Sequence, residues 1–360
     1  MKIALVCEFS YPSKCGVWNV VHHTAKELKK RGHEIHIFSS NIIKGTSKTS
    51  TKFEKKEGVT YHRFPTKFKI SENAIFWNFE KELIKIKPDI MHAHAFRHPH
   101  SNKVPRIAKK LKVPCYLTTH APFLERGIRN PILQILTNVY DSLFAKKILN
   151  SYTKVFAISR WEQKHLTRLG CKKEKIIFLP NGVSNEFLKI KAKPNKKAIY
   201  MGRIAPVKNL ETILRAATNL PNIQFTIYGP IEKGYALKSN LKNVKIINKP
   251  YNESEEIKEL KKNSIFILPS IREGIPLSLL EAMASGLACL SSKTQGGKEL
   301  IDHKKTGLLF NIGNHKELQK AIIKATDKKL WNNISKKSKE STKNKTWDKI
   351  AIKLEKIYKN

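Results

Sequence analysis

Short apolar runs alternate with helix-spaced segments along most of the chain, and the series occurs twice. In the first, residues 2–7 (KIALVC) read as a buried strand and Val17 to Lys30 as an amphipathic helix that Gly32 ends. Glu34 to Ser39 reads as the next strand. Candidate strands follow at Val59–Phe64, Asp89–Ala95, Cys115–Thr119, Val155–Ser159 and Ile176–Pro180. Helices are predicted over Ala74–Ile86, Lys103–Leu111 and Arg160–Leu169, and 41–58 as a polar loop or irregular hairpin. In the second series, strands are predicted at Ala198–Met201, Gln224–Tyr228, Val244–Ile247, Ile265–Leu268 and Ala288–Ser291, with a short one at Leu308–Leu309. Helices are predicted at Asn209–Asn219 and Ser254–Lys262, and residues 314–360 have a helical pattern. Such alternation predicts α/β architecture: two Rossmann-like, doubly wound parallel-sheet domains facing across a cleft.

A basic, proline-containing stretch at 185–197 is predicted as the linker. It divides the chain into domains 1–185 and 186–345, with a terminal helix in 346–360. Open α/β sheets bind ligands beyond the carboxyl ends of their strands. Gly16, His120, Ser159, Asn181, Gly202, Gly229 and Glu273 all follow predicted strands closely.

The stretch Arg272–Leu290, REGIPLSLLEAMASGLACL, concentrates the most chemistry. It follows an apolar run and reads as glycine turn, short helix and strand. Pro276 suits a first helical position, and Gly286 suits a helix stop. The helix start offers amides and a partial positive charge that suit a phosphate. Glu273 and Glu281 add carboxylates that suit sugar hydroxyls; the plain alternative is a solvated glutamate pair.

The 360 residues exceed one ordinary domain, and 40% are hydrophobic. No apolar run reaches the roughly 18 residues of a membrane span. The first residues read as a strand rather than a signal peptide. Five scattered cysteines without C-x-x-C spacing argue against a disulfide framework or zinc site and fit a reducing cytoplasm. His92 and His94 share one strand face, with His98 and His100 nearby; polar residues satisfied at a strand end are commoner than zinc ligands.

The net charge is +40. Basic residues outnumber acidic ones 34 to 13 over 1–185 and 35 to 16 over 186–360. A dedicated nucleic-acid binder concentrates charge on one face or arm. An even lysine excess reflects composition, or attraction to anionic lipids or phosphorylated substrates. Nonspecific affinity for nucleic acid would follow from the same charge. Residues 124–150 form a predicted amphipathic helix flanked by Arg126, Arg129, Lys146 and Lys147. The expectation is a core-facing helix with solvated ends, and the alternative a helix on a membrane surface.

MGRIAPVKNL, YGP, LPSIREGIPLSLLEAMASG, QGGKELI and TGLLF occur in order in the second half. CGVWNVVHHTAKELKKRGHEIHIF, TTHAP, AISRW and LPNGV occur in the first. Over about residues 1–310 the chain resembles the retaining GT-B glycosyltransferases of family 4. The resemblance implies transfer of a hexosyl unit from a nucleotide-diphosphate sugar, as co-substrate, to a lipid or glycan acceptor. It implies that Arg203 and Lys208 hold the diphosphate, that Glu281 binds the ribose and that Glu273 faces the transferred sugar. The turn with Gly274, Ile275, Leu277 and Ser278 would meet sugar and phosphate. Gly16 would close on the diphosphate, and His120 would lie near the transferred sugar. Ser159, Asn181, Gly202 and Gly229 complete the expected binding set.

No D-x-D metal pair occurs, so neither a metal nor another cofactor is expected. Cys15-Gly16-Val17-Trp18, Ser184 and Lys298 depart from the family pattern but leave Arg203, Lys208, Glu273 and Glu281 in place. The expected acceptor is a phospholipid or polyprenyl-phosphate sugar at an anionic cytoplasmic membrane face, with no specific nucleic-acid partner. A nucleotide-sugar epimerase or phosphorylase on the same fold is an alternative. A basic nucleic-acid-binding protein with an inactive transferase fold is another, which the intact cation and glutamate set disfavours.

Overall fold

The computed structural model of the chain describes every residue except 12, 14, 45–47, 72–73 and 124–129. The chain divides into two compact units, Met1–Asn181 with Trp347–Asn360, and Gly182–Thr346.

In the first unit the strands are β1 (Lys2–Val6), β2 (Glu34–Ser40), β3 (Phe53–Lys56), β4 (Val59–Phe64), β5 (Thr66–Ser71) and β6 (Ala74–Trp77). They continue with β7 (Ile90–His94), β8 (Cys115–Thr118), β9 (Lys154–Ala157) and β10 (Ile176–Phe178). The main sheet has the order β10-β9-β8-β7-β1-β2-β4-β3 among the described residues. Only the β3–β4 edge pair is antiparallel. The chain leaves β1 for β2 on one side and later returns to β7 on the other. This reversal makes the carboxyl ends of β1 and β7 a topological switch point. The central strands are buried almost throughout, as expected where helices cover both faces of a sheet.

The terminal helix Trp347–Lys359 belongs to this unit. Its Ile350, Ala351, Leu354 and Tyr358 join the core formed by Ile3, Leu5, Val21 and Leu28. Burying a side chain such as Leu354 contributes at most about 1.5–3 kcal/mol. The Trp347 ring stacks on His23 at 5.1 Å. Glu355 pairs with Arg31 and, at 2.7 Å, with Lys359.

The second unit has the strands β11 (Lys197–Met201), β12 (Gln224–Tyr228), β13 (Val244–Ile247), β14 (Ile265–Leu268), β15 (Ala288–Ser292) and β16 (Leu308–Phe310). All pair in parallel in the order β13-β12-β11-β14-β15-β16. Its switch point lies between β11 and β14.

Four expectations need correction. Residues 74–86 are not one helix: 74–77 form β6, and the helix is Glu80–Ile86. The AIFW run alternates in burial and pairs with β5, where the Phe68 and Phe76 rings stack at 4.2 Å. That cross-strand packing outweighs any helical preference. Of the two readings of 41–58 the loop gives way to the hairpin, since the stretch contains β3, paired antiparallel along β4. The stretch 185–197 is no free linker, because Asn185–Leu188 is a helical turn and Phe187 and Ile190 are buried in the second unit's core. Its lysines mask two anchoring side chains, and the boundary between units falls at Asn181–Gly182.

The fourth correction concerns the amphipathic helix. It runs from Pro131 through a π-helical segment at Asp141–Ala145 to Ser151. The start predicted at 124–129, with Arg126 and Arg129, lies outside the described residues. Its apolar face does not turn to a core. Ile132, Leu133, Ile135, Leu136, Val139, Leu143 and Phe144 are 49–69% exposed. Near its end Ala145 and Leu149 are buried in the core, and Ile148 packs against it. No helix among the described residues is long and apolar enough to cross a membrane.

Candidate active site

The second unit builds its site from loops at the switch point. β11 ends at Met201, and Gly202 turns the chain with φ +152°. Gly229, after β12, lies against it with φ +148°. A Cβ on Gly229 would sit 1.9 Å from the Gly202 carbonyl oxygen, so the two loops can meet only through glycine. Gly202 N donates to Tyr228 O at 3.1 Å, and Ile204 N to Pro230 O at 2.9 Å. The buried Tyr200 hydroxyl donates to the carbonyl of Arg203 at 2.7 Å. These bonds hold the 202–208 loop over the end of β11.

A 3-10 turn, Pro206–Lys208, then aims Lys208 across the switch point. Its Nζ lies 2.6 Å from Oε1 of Glu273, which follows β14. Ser270 Oγ donates to the same oxygen at 2.6 Å. Ile271 N donates to Val207 O at 2.9 Å and ties the two loops together. The Lys208 side chain is 20% exposed and that of Glu273 11%, which makes this a partly sheltered ion pair. Arg203 pairs with Glu232, and its side chain is 53% exposed. An exposed pair of this kind contributes little and exchanges readily for another anion.

The turn after Glu273 is backed by the QGG motif. Gly296 N donates to Glu273 O at 3.1 Å. A Cβ on Gly296 would meet the Gly274 carbonyl at 2.3 Å, so this glycine permits the close approach. Gly274, Ile275, Leu277 and Ser278 are half-buried around the start of helix Leu277–Ala284. Pro276 is the N-cap, one position before the first helical residue where the sequence pattern put it. The amides of 277–279 precede the first intrahelical bond, from Leu280 N to Pro276 O. Glu281 lies one turn further in and remains partly exposed. Burial pushes its carboxyl up to about 7, against a hydrogen bond with Glu256 that lowers it.

The first unit carries the remaining candidates. His120 has φ +59° and Ala121 φ +50°. Such left-handed geometry at two consecutive non-glycine residues needs outside support. Glu162 supplies it. One carboxylate oxygen accepts the Thr119 hydroxyl and, at 2.7 Å, Ala121 N. The other accepts Ile158 N at 2.8 Å. Burial raises the Glu162 carboxyl to about 7.

His120 Nε2 and His94 Nδ1 lie 3.0 Å apart. His92 bonds Tyr358 Oη at 2.6 Å and Thr118 Oγ1 at 2.8 Å, and His100 bonds the His94 carbonyl at 2.8 Å. Burial lowers the pKa values of His92, His100 and His120 to about 3, so the rings are neutral near pH 7. Among the described residues no group of three His, Cys, Asp or Glu side chains is disposed to hold a metal ion.

Gly16 opens helix Gly16–Lys30, with Cys15 as N-cap. A Cβ there would meet nothing within 4 Å, so open space lies in front of it. Ser159 is fully buried as the N-cap of helix Arg160–Arg168, and Asn181 is buried at the end of the first unit. Both side chains are turned away from solvent, with Ser159 0% and Asn181 5% exposed.

The structure thus brings Gly202, Gly229, Lys208, Glu273 and the Gly274–Ser278 turn together in the second unit. Sequence reasoning passed over Glu256, Ser270 and Glu162. The S-x-x-E spacing of Ser159 and Glu162 was a visible signal for the last. For Glu256 and Ser270 no local pattern exists.

Residues 15–187 match the family model Glycosyltransferase Family 4, and residues 184–346 match Glycosyl transferases group 1. The chain is 29% identical over 288 residues to UDP-Gal:alpha-D-GlcNAc-diphosphoundecaprenol alpha-1,3-galactosyltransferase of Escherichia coli, covering 71% of each chain. It is 23% identical over 371 residues to an uncharacterized glycosyltransferase of Methanocaldococcus jannaschii, covering 99% of this chain and 98% of the relative. Sucrose-phosphate synthase from Thermosynechococcus elongatus has a similar fold, with TM-score 0.75, 16% identity and 99% and 98% coverage. Anabaena HepE, solved in complex with UDP and glucose, matches with TM-score 0.74, 14% identity and 100% and 99% coverage. Two parallel-sheet α/β units, glycine-lined loops at the switch point and both family matches have one meaning: the chain belongs to the GT-B glycosyltransferases and is a glycosyltransferase of the group 1 and family 4 type.

Proposed function

We propose that the protein transfers a hexosyl unit from a nucleotide-diphosphate sugar to a lipid-linked acceptor, with retention at the anomeric carbon and without a metal. The observation that carries this reading is the Lys208–Glu273 pair across the β11–β14 switch point. Arg203 and Lys208 exchange their carboxylate partners for the donor diphosphate. They then offset the charge that develops on the departing nucleoside diphosphate. The bond from the anomeric carbon to the phosphate oxygen breaks on the same face where the bond to the acceptor oxygen forms. The acceptor proton passes to the leaving phosphate oxygen. Glu273 holds hydroxyls of the transferred sugar, and Glu281 holds the ribose.

HepE binds UDP and glucose, which supports a nucleotide-sugar donor. A thermal-shift screen against UDP-, GDP- and ADP-sugars tests it. A donor present at about 100 times its Kd stabilises the native state by about 2.7 kcal/mol. One class is expected to raise the melting temperature, and no shift with any of them sinks the reading. Proton NMR of the product is expected to show the donor's anomeric configuration, and chelation with EDTA to leave the rate unchanged. Product formation only with an acceptor separates transfer from epimerase chemistry.

The acceptor reading rests on helix 131–151. Its exposed apolar face occurs on a chain of net charge +40, and Lys146 and Lys147 adjoin it. A face of this chemistry suits an anionic membrane surface, with apolar side chains at the acyl boundary and lysines at the headgroups. The Escherichia coli relative is named for a diphosphoundecaprenol-linked substrate, which fits such a location. Sedimentation with vesicles is expected to pellet the protein with anionic lipid and leave it in solution with zwitterionic lipid. Equal recovery in both pellets would remove the electrostatic part. Leu136→Glu with Leu143→Glu is expected to lower the pelleted fraction several-fold, and wild-type pelleting would remove the helix from the account.

A further inference from the structure

The turn that carries His120 is held from a second side. Glu162 accepts the Ala121 amide, and Pro122 follows at once. Proline has no amide hydrogen, so the Pro122 carbonyl is the only backbone polar group by which that residue can be held. Arg97 holds it: Nη1 donates to Pro122 O at 3.1 Å.

Arg97 is itself placed with little freedom. It stands in the loop after β7, where Ala95 has φ +73° and Arg97 φ +70°. Ala95 N donates to Thr118 O at 2.9 Å and Phe96 N to Thr119 O at 3.3 Å, so this loop runs beside the His120 turn. The guanidinium carbon of Arg97 lies 5.4 Å from the Phe96 ring centroid and 5.1 Å from that of Phe123. Nε donates to Asp141 Oδ1 at 2.9 Å, and Nη2 to Asp141 Oδ2 at 2.5 Å. Two parallel bonds fix the plane of a guanidinium, which one bond cannot do. The side chains of Arg97 and Asp141 are 15% and 13% exposed, so the fork is sheltered from water. Asp141 opens the π-helical segment that follows the exposed helix Pro131–Tyr140, and it ties the foot of that helix to the loop beside His120. Tyr140 adds a bond from Oη to Asn102 Oδ1 at 3.0 Å.

We propose that Arg97 is a positioning residue for sugar transfer: oriented by Asp141, its guanidinium fixes the Pro122 carbonyl and so the left-handed turn that presents His120. This rests on the reading of His120 as a residue near the transferred sugar. Glu162 and Arg97 grip the turn on either side of the strained pair His120 and Ala121. Without the second grip the turn relaxes toward ordinary backbone geometry and carries the His120 ring with it. A displacement of about 1 Å beside a reacting centre can lower a rate about 100-fold.

Arg97→Lys keeps the charge and gives up the fork. Hydrogen exchange read by mass spectrometry tests it without any ligand. The peptide that spans residues 118–123 is expected to exchange at least about tenfold faster than in wild type, while peptides of β1 and β2 keep the wild-type rate. Wild-type exchange over 118–123 overturns the inference. Turnover is read as nucleoside diphosphate released from UDP-glucose, GDP-mannose or ADP-glucose. With the donor that is turned over, Arg97→Lys is expected to lower kcat about tenfold and to leave KM within about threefold, because the substitution leaves the loops of the second unit intact.

Arg97→Met with Asp141→Leu replaces the ion pair by apolar side chains of similar size, which leaves no charge buried alone. Its melting temperature is expected to stay close to that of wild type, and its kcat to fall at least about tenfold, since methionine makes no bond to Pro122 O. A merely structural pair would return turnover together with stability, so wild-type kcat in this folded double variant overturns the proposal. His120→Ala separates the two readings. Wild-type turnover in His120→Ala overturns the reading of His120 on which the proposal rests. Low turnover there, with wild-type exchange and turnover in Arg97→Lys, removes only the role of Arg97.

Discussion

Lys208→Ala is expected to lower the turnover number of sugar transfer by about 10²–10³-fold, the usual cost of losing one donor that meets charge developing in a transition state. Lys208 Nζ sits 2.6 Å from Glu273 and joins loops that follow two adjacent central strands. Its Cα is held by the 3-10 turn and by the Ile271–Val207 bond, neither of which needs the ammonium group. The substitution therefore removes a charge and leaves the loop in place. Glu273 keeps its bond from Ser270 Oγ. Initial rates over a range of donor concentrations check the result. The loss is expected mainly in kcat, because the charge on the leaving phosphate grows as the bond breaks. Arg203→Ala is expected to cost less, since its half-exposed guanidinium acts through more water. If both variants turned over near the wild-type rate, the account of the diphosphate site would be wrong.

Gly229→Ala is expected to destabilise the second unit by about 3 kcal/mol or more, the scale of a severe overpacking or a glycine-only backbone conformation. The added Cβ would lie 1.9 Å from a backbone oxygen, so no rotamer change relieves the clash. The φ of +148° adds strain for any residue with a side chain. Thermal denaturation followed by circular dichroism checks it, with a fall of about 6–12 °C expected for a unit of this size. Gly16→Ala is the contrast: its Cβ would meet nothing within 4 Å, and a stability change under about 0.5 kcal/mol is expected. Equal melting temperatures for Gly229→Ala and wild type would contradict the packing of the two glycine loops.

Much of the fold is legible because strand and helix periodicities are local. The runs KIALVC and Ser264–Pro269 bury every residue but Lys2 on both faces of a sheet, and that leaves a continuous apolar signature. Lys208, Glu273 and the Gly274–Ser278 turn were legible for a related reason. A parallel sheet places its ligand loops after its strands, so a cation or carboxylate there has a foreseeable location.

The failures share a different cause. Residues 74–77 became a strand because β5 lies beside them, and no pattern within the segment announces that partner. Phe187 and Ile190 are two apolar residues among lysines, too few to register as an element, yet both are buried. Glu162 carried its capping pattern in the sequence, but its bonds reach the loop of His120 and Ala121, some forty residues earlier.

Helix 131–151 shows the division most clearly. The spacing of Ile132, Leu136, Val139 and Leu143 establishes an apolar face, and tertiary structure alone decides whether a core covers it. By itself the sequence determined the strand and helix series, the glycine-marked loops and the cation and glutamate set of the donor site. Only the tertiary structure decided that this helix face stays open, and that the Glu162 carboxylate reaches the amides of Ala121 and Ile158. Periodicity reports which way a side chain points, whereas what it meets there depends on segments distant in sequence that pack beside it.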